Sequence, residues 1–143
     1  MIAIFDDYGV RFEYPGEWEL DVADDGTRTT VSLQAPDAPA FVMVALDQDR
    51  PAPAAVADEA LEAMRAEYPE LEAVPALETI DGHRAIGHDL EFFSLDMTSA
   101  CAIRSFRTKR RTILIFAQWT SLDDDAAESQ IRALRATLEE TDV

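Results

Sequence analysis

Among its 143 residues the chain has one cysteine, two histidines, one lysine and five glycines. With Cys101 as the only thiol no intrachain disulfide can form, and nothing in the cysteine usage points to an oxidising compartment. Long hydrophobic runs are also missing. No stretch approaches the roughly 18 apolar residues that a transmembrane helix needs. The opening MIAIFDDY has neither the basic n-region nor the apolar h-region of a signal peptide. The expectation is a cytoplasmic protein with no membrane insertion. Positive charge is scarce: 12 basic residues face 29 acidic ones, for a formal net charge of −17 and a pI near 4.2. A field of that sign repels phosphate backbones and anionic lipid heads, so nucleic acid and membrane surfaces are not expected partners. Basic proteins, cations and apolar segments are better ones. The same charge also keeps a protein in solution whatever it binds.

Motifs that carry chemistry are absent. The sequence contains no GxxxxGK[ST], GxGxxG, GxSxG, HExxH or CxxC. His83 and His88 are five apart on one strand pattern, which sends them to opposite faces, and a strand needs spacing two to present two ligands together. Asp47, Asp49 and Asp81 lack the glycine and distal Glu of a calcium loop. No catalytic residue, metal or cofactor is expected. His88 lies between Ile86 and Leu90, as a core or groove histidine would, and Cys101 reads as a buried inert thiol. The alternative is a small-ligand-binding protein or enzyme with a pocket near His88 and Cys101. That reading needs a thiol with a lowered pKa and a base within reach.

What is present is a core and a clear alternation of elements. Apolar residues make up 48% of the chain, which excludes disorder, and the length suits a single domain spanning residues 1–143. In YGVRFEYPGEWEL, Tyr8, Val10, Phe12 and Tyr14 share one face of an extended strand, ended by a tight turn at Pro15-Gly16 with Gly16 at positive φ. Trp18, Leu20 and Val22 alternate next, then Thr29, Val31 and Leu33. FVMVAL, residues 41–46, is apolar on both faces, as a central covered strand is. Residues 54–68 form an amphipathic helix with acids toward its N-terminus, stopped by Pro69. A strand near residues 74–79, a hairpin turn at Asp81-Gly82, and strands over 83–95, 97–107 and 111–120 follow. The last of these is again apolar on both faces. A second helix carries the stripe Ala127, Ile131, Leu134 and Leu138, with Asp125 and Glu128 as a capping box. Four strands, a helix, four strands and a helix, joined by short connections, predict an α+β fold. Its architecture is an α-β-α sandwich around a largely antiparallel sheet of about seven to eight strands with two main helices.

The opening strand with Phe12, Tyr14, Pro15 and Trp18 resembles the F-x-Y-P-x-x-W entry of the PsbP-like superfamily. Ile80, Gly82 and Ala85 resemble that group's later hairpin. The group includes a photosystem II extrinsic protein, a Ran-binding import factor, DcrB-type lipoproteins and type VI secretion adaptor-like proteins. The resemblance implies a non-enzymatic protein-binding module or adaptor, a secretion-effector adaptor chaperone being one concrete form, and it brings no catalytic residues with it. The chain has no lipobox cysteine, which sets it apart from the lipoprotein members.

One concentration of positive charge stands out. RSFRTKRR, residues 104–111, holds five of the twelve basic residues. It reads as an exposed hairpin tip whose Arg104, Phe106, Arg107, Lys109, Arg110 and Arg111 contact a protein partner, an acidic face of a second copy in a homodimer included. The simpler reading is a solvated turn whose charges pair with nearby acids.

Overall fold

A computed structural model describes residues 1–94, 96–120 and 125–142, without the side chain of residue 125. The chain order is β1 (Ile2–Asp7), β2 (Val10–Pro15), β3 (Glu19–Asp24), β4 (Arg28–Gln34), β5 (Phe41–Asp47), α1 (Pro53–Glu67), β6 (Glu72–Ile80), β7 (His83–Ser94), β8 (Met97–Arg107), β9 (Thr112–Thr120), α2 (Asp125–Thr137) and β10 (Glu139–Glu140). Seven strands form the main sheet in the order β3-β4-β5-β9-β8-β7-β6, and β1, β2 and β10 form a small second sheet. Every pairing in both sheets is antiparallel.

The two strands that are apolar on both faces, β5 and β9, pair with each other in the middle of the main sheet. Each face of the sheet carries its own core. On one side α1 seats Ala57, Leu61 and Met64 on Leu90, Phe92, Cys101, Ile103 and Leu114. On the other, α2 and the small sheet bury Ile131, Leu134, Leu138, Val10 and Phe12 against Val31, Leu33, Val44, Ile113 and Ile115. This is the α-β-α layering that two amphipathic helices and a sheet greasy on both sides require.

Local chemistry explains most boundaries. Pro53 occupies the first turn of α1, where its missing N–H costs nothing, and Pro69 follows the cap residue Tyr68. The first turn of α1 contains no acid, so the expected dipole pairing is absent and Asp58 and Glu59 fall a turn later. Asp81 and Gly82 both have positive φ, at 52° and 75°, as a two-residue hairpin turn demands. Edge strands are blunted in two ways: β6 carries Pro75 at its centre, and β3 carries Glu19, Asp21 and Asp24.

The first strand differs from the sequence expectation. Tyr8 has φ 54° and joins Gly9 in a turn, so the strand breaks there and residues 2–7 form a separate hairpin arm. Gly16 is not at positive φ. Its N–H donates to the Met1 carbonyl at 2.8 Å, and a Cβ there would press on that oxygen. Glycine at 16 therefore serves a close approach. The proposed Asp125 cap and the last residue of the 83–95 strand lie outside the described residues.

Candidate binding groove

α1 is narrower than the sheet it covers. It packs over β7, β8 and β9 and leaves the neighbouring part of that face uncapped. The side chains there follow from strand alternation: Phe41, Met43 and Ala45 on β5 point the same way as Leu114 and Phe116, because Met43 pairs with Phe116 and Ala45 with Leu114. The result is a cleft of about 490 Å3 between α1 and the β5–β9 pair. Phe41 and Phe116 stack along its floor with ring centroids 6.0 Å apart. The helical wall presents Ala55, Ala60 and Ala63 beside Val56 and Met64. Alanines on the wall leave room for another backbone, and methionines adapt to irregular apolar surfaces. Arg28, Asp47, Glu59 and Glu67 form the rim. Acids outnumber the single cation there.

His88 and Cys101 lie on the α1 face, as their strand positions require, but do not form a catalytic pair. Leu90 is the direct cross-strand neighbour of Cys101, and Ile103 that of His88. His88 Nε2 lies 3.1 Å from Asp58 Oδ1 on α1, an exposed contact that links helix to sheet. Cys101 is buried. Burial first, and the charge of Asp89 second, push its thiol pKa up to about 12, so at neutral pH it is a thiol and no thiolate nucleophile exists. In native protein, an aromatic disulfide reagent is expected to leave Cys101 unmodified at pH 8 and to react fully once denaturant is added. Fast labelling of folded protein at one equivalent would contradict this burial.

The basic hairpin splits into two groups. Arg107, Lys109 and Arg110 are exposed, whereas Arg104, Phe106 and Arg111 are buried, which corrects the reading of the whole segment as an exposed tip. Alternation along β8 turns Arg104 and Phe106 inward on the α2 side. Phe106 stacks on His83 with centroids 5.3 Å apart. Arg104 Nε donates to Glu78 Oε1 at 3.0 Å, and its Nη1 lies 2.9 Å from Asp89 Oδ1. Arg111 donates to Glu140 and Asp142, which the C-terminal segment brings in behind the hairpin. These acids lie 15 to 31 positions away in sequence, out of reach of any local pattern.

No family model matches the chain, and no curated protein matches it. Solved structures do. LpqN, involved in cell envelope biogenesis of Mycobacterium tuberculosis, is 12% identical with a TM-score of 0.59, over 99% of this chain and 91% of that one. Cyanobacterial PsbP (CyanoP) from Synechocystis is 14% identical with a TM-score of 0.61, over 97% and 92%. PA94 from Pseudomonas aeruginosa, of unknown function and described as a regulator candidate, is 16% identical with a TM-score of 0.50, over 90% and 89%. The fold is PsbP-like. Among the described residues no helix is long and apolar enough to cross a membrane, and no group of three His, Cys, Asp or Glu is placed to hold a metal ion.

Proposed function

We propose that the protein is a non-enzymatic protein-binding module that holds an apolar segment of another polypeptide in the groove beside α1. The groove itself supports this reading: a stacked Phe41–Phe116 floor and an alanine wall, open along one side and rimmed by Asp47, Glu59 and Glu67. A helix fits such a trough by laying an apolar face against it, and basic residues at its ends match the rim and the net charge of −17. An adaptor chaperone that shields a hydrophobic helix of a secreted effector is the concrete form. Arg107, Lys109 and Arg110 supply a separate cationic contact for an acidic partner.

A synthetic apolar helix flanked by lysines is expected to bind the wild-type chain. Ala60→Trp, which fills the trough, and Met43→Glu, which charges its floor, are expected to weaken binding at least about tenfold, or 1.4 kcal/mol, without loss of fold by circular dichroism. Equal affinity of both variants and wild type would remove the groove from the reading.

A further inference from the structure

A second, smaller cleft of about 200 Å3 lies on the opposite face of the sheet. Its lining includes Ala100 and Ala102 of β8 and Trp119 of β9, and α2 contributes Glu128, Arg132 and Arg135. Spacings of four and three put those three residues on one stripe of the helix, beside the buried Ile131–Leu134 stripe. Together with Arg104, the cleft gathers three guanidinium groups in a chain with only twelve basic residues.

The three arginines are not equally satisfied. The side chains of Arg104 and Arg135 are each only 7% exposed, and both are anchored on Glu78. Arg104 uses Nε on Glu78 and Nη1 on Asp89 and the Ile103 and His88 carbonyls, and its Nη2 has no acceptor among the described residues. Arg135 uses only Nε, at 3.2 Å from Glu78 Oε1 and 2.9 Å from Oε2. Neither Nη1 nor Nη2 of Arg135 has an acceptor among the described residues. Glu78 already accepts from both arginines. Burial alone would raise its pKa, but the hydrogen bonds and charges of Arg135 and Arg104 prevail and hold it below the ordinary carboxylate value, so it is ionised and already shared. Exposed Arg132 pairs with Glu128 at 2.8 Å through Nη2. The Trp119 indole N–H also has no acceptor among the described residues. A guanidinium only 7% exposed, whose terminal nitrogens take no acceptor among the described residues, can receive a planar acceptor, because it presents its donors as a rigid fork.

We propose that this cleft binds a small organic carboxylate. The carboxylate completes the fork of Arg135, Arg132 closes over it, and the apolar body lies on Trp119, Ala100 and Ala102. At about 200 Å3 the cleft is well above the roughly 10–15 Å3 that one water needs, and takes a small monocarboxylate such as benzoate. Bidentate pairing with a guanidinium suits carboxylate and phosphate alike, so the charge of the lining decides between them. Asp89, Glu91 and Glu128 in the lining disfavour a dianion such as phosphate.

The test is a two-dimensional NMR titration of the full chain with benzoate, neutral benzamide and inorganic phosphate, read at the two indole N–H signals. Benzoate is expected to shift the Trp119 signal saturably and leave that of Trp18, buried in the core, in place. Benzamide and phosphate are expected to bind at least about tenfold more weakly. Arg135→Lys, which keeps the charge and removes the fork, is expected to abolish the shift. Arg132→Ala, at an exposed site that leaves folding intact, is expected to weaken it about tenfold. No saturable shift in wild type, equal binding of benzamide or phosphate, or an Arg132→Ala variant that binds as wild type does would each overturn the proposal.

Discussion

Replacing Arg111 by Met is expected to lower the free energy of unfolding by about 3–5 kcal/mol, read as a drop in denaturation midpoint at unchanged slope. The Arg111 side chain is 4% exposed and that of Glu140 2%. Arg111 Nη1 donates to Glu140 Oε2 at 2.6 Å and to Asp142 Oδ1 at 3.0 Å, and Nη2 donates to Asp142 Oδ2. Glu140 Oε2 also accepts from Thr108 Oγ1 at 2.7 Å. Around this pair the chain closes on itself: the Glu140 N–H donates to Asp81, and the Thr141 N–H donates to the Gly9 carbonyl. Gly9 must be glycine here, since it has φ 82° and a Cβ would strike Asp142 and Arg111. Methionine would leave the Glu140 carboxylate buried without a cation, and it is that uncompensated charge which makes the loss large. A second substitution, Glu140→Gln, is therefore expected to restore part of the stability, so the double variant loses less than the sum of the singles. A loss below about 1 kcal/mol for Arg111→Met, the range of an exposed ion pair, would show that water reaches the site. The clasp also sets an acid response. The Arg111 hydrogen bond, with its charge, holds the Asp142 carboxyl below its ordinary value. A group lowered in the folded state contributes stability above its unfolded pKa of about 3.9 and loses it as pH falls through the folded value. Acidification below about pH 4 is thus expected to destabilise wild type more steeply than Arg111→Met.

These contacts mark where the sequence stops being informative. The layers could be read from local pattern because they depend on side chains that alternate or repeat within a few residues. Phe41 to Leu46 and Ile113 to Phe116 are greasy on both sides, and they became the two central strands. Asp81-Gly82 named its turn, and Pro53 and Pro69 bracket α1. β1 carries no such mark, because Ala3 and Phe5 turn inward while Ile2 and Ile4 are exposed on the other face, so polar–apolar alternation is absent. Two glutamates give no strand signal; β10 forms by pairing with β2, and Arg111 holds the Glu140 side chain while Asp81 accepts its N–H. The burial of Arg104 could have been suspected from its place two residues before Phe106 on one strand face, but its counter-charges Glu78 and Asp89 come from two other strands. The groove had no local signature. Alanines in α1 read as helix propensity, and only the lateral position of α1 on the sheet turns them into the wall of a trough.

Gly87→Ala is expected to destabilise by about 2–3 kcal/mol, although removing a glycine from a strand would ordinarily stabilise by about 0.5–1 kcal/mol. Gly87 sits in mid-strand, between Ala76 on β6 and Arg104 on β8. A Cβ there would lie 1.7 Å from the Ile103 carbonyl oxygen, 2.6 Å from its carbon and 3.2 Å from Arg104 Cα. All three are backbone atoms of a fully paired strand, so no side chain can rotate away to make room. The backbone must move, and the Ile103 oxygen that would be struck also accepts from Arg104 Nη1 at 3.0 Å. Relief of the clash therefore displaces the arginine that shares Glu78 with Arg135. Gly26→Ala separates this effect from glycine chemistry in general. Gly26 has φ 92°, but nothing lies within 4 Å of its added Cβ, so that variant carries only the left-handed backbone penalty of about 1–2 kcal/mol. The two differ in kind as well as size. The 15N–1H signals of Arg104 and of its neighbours on β7 are expected to shift in Gly87→Ala and to stay fixed in Gly26→Ala. A Gly87→Ala protein as stable as wild type, with those signals unmoved, would mean that β7 and β8 are not drawn together at this point, and that Arg104 holds Glu78 without the help of a bare backbone beneath it.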